Sequence, residues 1–136
     1  MSTESNLSPQ ELFDWAGLAG HGPFPWKTGS VREKSSGIYI ITAAGMGVVY
    51  IGRAKRLNKR LNQFIRHKCG NSEPHKGGEA IIHLGEPGVH LQIYYAVCND
   101  YAEKETSILE YFYQISKRLP FGNKKRGNKL PPSLNS

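Results

Sequence analysis

Two triplets, Gly37-Ile38-Tyr39 and Tyr50-Ile51-Gly52, each set a phenol close to a glycine, and a run of cations follows the second. The residues around them are β-formers: Ile38 to Thr42, then Val48 to Ile51, with Ala43-Ala44-Gly45-Met46-Gly47 as a turn signal between. That pattern predicts an antiparallel hairpin. A loop centred on Ala44-Gly45 sets Tyr39 opposite Tyr50, with both phenols on one face because side chains alternate along a strand. After Gly52 the apolar period becomes helical. Leu57, Leu61 and Phe64 fall at i, i+4 and i+7, and Arg53, Arg56, Arg60 and His67 run beside them. Two phenols converging with a column of cations suit work on a phosphodiester, where charge must be held and water activated.

The order and separation of the triplets, with Arg60 ten residues past Tyr50, resemble the GIY-YIG nuclease domain. Further matches are Glu105 and Pro120-Phe121-Gly122-Asn123, so the resemblance covers residues 36–123. It implies a metal-dependent DNA endonuclease. In that reading Tyr39 orients or deprotonates the attacking water, with its phenolate form favoured near arginines and a metal. Tyr50 assists by hydrogen bonding, and Arg60 holds the scissile phosphate. Glu105 binds one divalent cation, Mg²⁺ or Mn²⁺, that stabilises the 3′ leaving oxygen. Asn123 holds the site together by hydrogen bonding. Arg53 stands where some relatives have Lys and contacts a flanking phosphate. A histidine from the region of residues 69–80 is often near the active site in the family, which brings in His75; a histidine in a Gly-rich loop is as readily just exposed. The chain departs from the pattern at Phe64, where several relatives carry His one helical turn after the Arg. Either His67 or His75 substitutes, or the role is dispensable.

The elements that must position these residues follow from the rest of the chain. Ser8-Pro9-Gln10-Glu11 is a capping-box pattern with Pro at the first helical position. It predicts a short helix with Leu12, Phe13, Trp15, Ala16 and Leu18 on its apolar side. Gly20 to Trp26 reads as a rigid loop, and residues 27–36 as a polar linker. The aromatics Phe13, Trp15, Phe24 and Trp26 either pack this arm onto the domain or present a surface that stacks on bases or a partner protein. A basic helix is expected over Ala54 to His67, with Arg53, Arg56 and Lys59 facing nucleic acid. Residues 69–80 form a loop, 80–84 a short helix or strand, and 85–88 a turn. His90 to Val97 alternates as a third strand, and Asp100 or Asn99 caps a second long helix. Its buried stripe is Ile108, Leu109, Phe112, Ile115 and Leu119. Glu105 lies on that side and needs a partner there. Glu110, nearly opposite, is the rival metal ligand because it shortens the distance to Asn123. The predicted fold is α+β: a three-stranded antiparallel sheet flanked by helices. The N-terminal extension covers residues 1–35, the nuclease-like domain 36–123, and a basic flexible tail 124–136.

A chain of 136 residues with formal net charge +7 favours a polyanionic partner. The tail, with Lys124, Lys125 and Arg126, is expected to meet it. No apolar run approaches a membrane span, and Met1 to Glu4 has neither the basic nor the apolar region of a secretory signal. The expected location is cytoplasmic. Cys69 and Cys98 make no metal spacing and read as free thiols, with a disulfide undecided. Two rival readings stand beside the nuclease. One is a nucleic-acid-binding module on the same fold with little or no cleavage. The other is a basic RNA-associated protein, which explains the charge but not the constellation. The substrate is read as DNA, with single-stranded, duplex and branched forms unresolved, and the state as monomer or dimer.

Overall fold

The β-branched and aromatic run from Ile38 to Ile51 folds as its pattern requires. In the computed structural model, which describes residues 7–66, 90–120 and 122–123, the elements follow in this order: α1 (Pro9–Ala16), β1 (Gly20–Pro25), β2 (Gly37–Ala43), β3 (Gly47–Ala54), α2 (Leu57–Arg66), β4 (Leu91–Val97) and α3 (Tyr101–Ser116). The sheet is antiparallel, in the order β1-β4-β2-β3. The α+β architecture is the expected one, and its three core strands are those read from the sequence. The elements expected within residues 69–88 lie outside the described residues.

A fourth strand is added at the edge. Gly20–Pro25, which reads as a loop, pairs with β4 from Gly20↔Ala96 to Pro25↔Gln92, with a register shift between His21 and Phe24. Two prolines argue against a central strand, but an edge strand tolerates them because one side of its backbone has no ladder to serve.

The central strand β2 separates two cores. On one face Tyr39, Ile41, Leu57, Leu61, Phe64 and Ile93 pack together, beneath α2. On the other, Ile38, Ile40 and Ile51 meet Leu12 and Phe13 of α1 and Ile108, Leu109 and Phe112 of α3. A strand buried on both sides needs an unbroken apolar run, and β2 has one.

The helices depart from expectation at particular positions. α1 keeps its full capping box, with Ser8 and Glu11 bonded to each other's backbone. Yet Trp15 is 47 % exposed and stacks flat on Tyr111 at 4.4 Å instead of entering the core. In α3, Ser116 takes the buried position one turn after Phe112, and Ile115 is 43 % exposed. The stripe runs 108, 109, 112, 116, which follows the helical period more closely than 115 does. Asp100 stands at the α3 N-cap without a side-chain bond. α2 starts at Leu57, three residues later than the charge pattern suggests. Its first amides are satisfied by the linker: Leu57 N–H donates to Ser35 O and Asn58 N–H to Glu33 O. Arg53 therefore belongs to β3, not to the helix. Cys98 is a free thiol, pushed up by burial, while Cys69 lies outside the described residues. Among the described residues no helix is long and apolar enough to cross a membrane.

Candidate active site

The hairpin register is not the one a loop at Ala44-Gly45 requires. Tyr39 pairs with Gly52, and Tyr50 with Ile41. The slip from the expected pairing is two residues, so it leaves facing unchanged. Both rings stand on the α2 face, with centroids 6.0 Å apart. A bulge between Ile41 and Thr42 absorbs the turn. The glycines of the two triplets have steric duties. A Cβ on Gly52 would stand 2.5 Å from Tyr39 Cζ and 2.8 Å from Tyr50 Cε2, and one on Gly37 would collide with the carbonyl oxygen of Ala96. Phe64 closes the phenols from above. It is wholly buried and meets Tyr50 edge-on at 5.2 Å and Tyr39 at 6.2 Å. A phenyl ring carries no proton, so this position walls the tyrosines instead of relaying charge.

Arg60 from α2 reaches the phenols directly, and Glu105 from α3 acts on them through its charge. Arg60 is hydrogen-bonded to Tyr39. Glu105 is paired with Arg53 of β3 at 3.3 Å, and its side chain is 16 % exposed. Burial pushes Tyr39 well above its ordinary value; Tyr50 adds to the rise and Arg60 opposes it. Tyr50 is raised too, by burial first and then by the charge of Glu105. With Arg60 alone beside it, loss of solvent outweighs the guanidinium and the phenol keeps its proton. Glu105 is itself raised, because desolvation exceeds the help it receives from Arg53 and Arg60.

Asn123 closes the arrangement from outside. Its Oδ1 accepts from Ile51 N–H and its Nδ2 donates to Ile51 O, both at 2.9 Å, while Gly122 N–H donates to Val49 O. The chain after α3 thereby covers the open edge of β3, between the two triplet residues Tyr50 and Gly52. Glu110 stands apart, and its Oε2 is buried without a hydrogen-bond partner among the described residues.

A cleft of about 500 Å³ opens at Arg60, the residue bonded to Tyr39, and is lined also by Arg53, Ala54, Lys55, Arg56, Lys59, Gln63 and Tyr101. Arg53, Arg56 and Lys59, expected to face nucleic acid, thus share one concave surface with Arg60. Tyr101 was not singled out from the sequence, and nothing in its local pattern marks it. Trp26, one of the arm's aromatics, meets Phe64 across 38 positions, a contact that no local pattern marks. His67, His75, Lys124, Lys125 and Arg126 lie outside the described residues. Among those described, no cluster of three or more His, Cys, Asp or Glu is arranged to hold a metal. A hard divalent ion that keeps most of its waters needs only one or two carboxylates. Glu105 offers one, under-compensated in charge, so the donor set fits such an ion.

The family model described as the GIY-YIG catalytic domain matches residues 35–126. Neither a curated protein nor a solved structure matches the chain.

Proposed function

The chain belongs to the GIY-YIG catalytic-domain family, a nuclease-type fold, and on that premise we propose that it hydrolyses phosphodiester bonds in DNA with the help of a divalent cation, Mg²⁺ or Mn²⁺. The observation that carries the reading is the convergence of Tyr39, Tyr50, Arg60 and Glu105 beside a cationic cleft. Arg60 holds a non-bridging phosphate oxygen and the charge that grows on it. Water enters in line, forms the new P–O bond and breaks the bond to O3′, which takes a proton from solvent, so that a 5′-phosphate and a 3′-hydroxyl remain. Tyr39 orients that water as a neutral phenol. The water's proton goes to Tyr39 only where the phenol has first given its own proton to solvent, a form that burial makes scarce and Arg60 favours. Tyr50 hydrogen-bonds Tyr39 and fixes its hydroxyl. A cation held by Glu105 would supply positive charge near the leaving oxygen. Asn123 keeps Tyr50 and Gly52 in register through Ile51. Arg53, Arg56 and Lys59 take neighbouring phosphates together with the basic run Lys124, Lys125 and Arg126, and His75 is the candidate histidine for the catalytic site.

A second reading, a binding module with little cleavage, is favoured by one feature: Glu105 already has a partner in Arg53. Cleavage of a labelled panel of single-stranded, duplex, flap and branched DNA separates the two. The nuclease reading expects cutting with Mg²⁺ that stops in EDTA and in Glu105→Ala. Tight binding without cutting in any divalent metal favours the module. Cutting that survives Glu105→Ala and stops in Glu110→Ala transfers the metal to Glu110.

A further inference from the structure

The face that carries the tyrosines has a second cleft, of about 540 Å³, whose lining includes Phe24, Trp26, Lys27, His90, Leu91 and Gln92. Its walls come from the added edge strand and the start of β4. Of the four aromatics in the N-terminal arm, Phe13 is buried on the far face and Trp15 stacks there on Tyr111. Phe24 and Trp26 alone of these four line this cleft, and both are half-buried. Trp26 meets Phe64 edge-on at 5.4 Å, and Phe64 meets Tyr50 at 5.2 Å, so the cleft is two ring contacts from the phenols. Aromatic walls give a base a stacking surface. Lys27 offers charge for its phosphate, and Gln92 and His90 offer hydrogen bonds to its edge. A base paired and stacked within a duplex cannot enter such a recess without being unpaired and extruded.

We propose that this cleft takes an unpaired nucleobase flanking the scissile phosphate, so that the preferred substrate is DNA with single-stranded nucleotides at the cut. The position beside the cut rests on the nuclease reading; the binding of the base does not.

The test is an abasic scan. The full chain, in EDTA, is titrated against fluorescent single-stranded oligonucleotides in which one nucleotide at a time lacks its base, with an intact duplex alongside. One or two adjacent abasic positions should weaken binding by roughly tenfold, and the duplex should bind less tightly than the single strand. His90→Ala should flatten the scan while keeping the wild-type melting transition; Phe24→Ala should flatten it too, with a lower melting transition because its stacking on Tyr95 is lost. Trp26→Ala also loosens Phe64 and serves only as a further check. A flat scan with wild-type protein, or a duplex bound as tightly as the single strand, overturns the proposal. A positive scan without Mg²⁺-dependent cutting supports the cleft and removes the nuclease reading. Cutting with a flat scan does the reverse.

Discussion

Tyr39 pairs across the hairpin with Gly52, and its ring fills the space that a Gly52 side chain would need, with Oη 2.7 Å from where a Cβ would stand. The second triplet thus ends in glycine to make room for the phenol of the first. Gly52→Ala must push Tyr39 towards Phe64, which is packed, or move the backbone. Overpacking of this kind costs about 1–3 kcal/mol. A shift of the phenol by about an ångström costs on the order of 100-fold in rate. Urea unfolding and cleavage kinetics on the same preparation should show both losses. Wild-type cleavage with normal stability would mean that the ring is not placed by this contact.

Asn123 acts as a short substitute strand on the β3 edge. Asn123→Ala removes two hydrogen bonds to Ile51 and should cost about 1–3 kcal/mol. Asn123→Asp keeps an acceptor for Ile51 N–H but turns a carboxylate oxygen on Ile51 O, so it should be no better than Ala. If the clamp holds the triplet in register, kcat falls by about tenfold in both variants while affinity for DNA is kept. A loss of stability alone would make Asn123 a purely structural closure.

Much of this was legible in the sequence because it is local. The triplets, the capping box at Ser8 and the stripe Leu57, Leu61, Phe64 each declare themselves within one or two turns, and each is found in place. The edge strand was hidden by Pro23 and Pro25, whose turn chemistry masks a strand that only the sheet's open edge permits. The exact pairing of the hairpin depended on a bulge, which has no composition of its own. Trp26 against Phe64 and Arg53 against Glu105 join distant elements, so no local period announces them. The upward push on Tyr39 was not legible for a related reason: counting nearby arginines gives the Coulomb part of a pKa, but burial is a property of the folded chain.

That burial has an alkaline signature. Tyr39 has a folded value raised well above its ordinary one, so between the two the folded protein holds a proton that the unfolded chain has lost. Stability must therefore fall as pH rises past ~10, where unfolded tyrosines begin to ionise. Tyr50 is shifted the same way and adds to the slope. Tyr39→Phe should flatten part of this decline and abolish cleavage while leaving DNA binding. Melting temperatures measured from pH 8 to 11 for both proteins check it; parallel curves would show that Tyr39 does not contribute.

Glu105 should show a conflict between stability and function. Its carboxyl is raised by desolvation despite Arg53 and Arg60, so the folded state holds its proton more tightly than the unfolded chain does. The sign follows: stability falls as pH rises from the ordinary glutamate value through the raised folded one. Glu105→Gln removes the titration and keeps the shape. Arg53, with its side chain 36 % exposed, can turn to water, so the variant should melt at or above the wild-type temperature at pH 7. The gap should narrow as pH falls to 4. The same change should remove the carboxylate that would hold a divalent ion, so Mg²⁺ should no longer raise the melting temperature or support cleavage. A Glu105→Gln protein that is less stable than wild type at pH 7 would mean that the Arg53 pair outweighs desolvation. The carboxylate would then be a structural anchor, and the binding-module reading would gain.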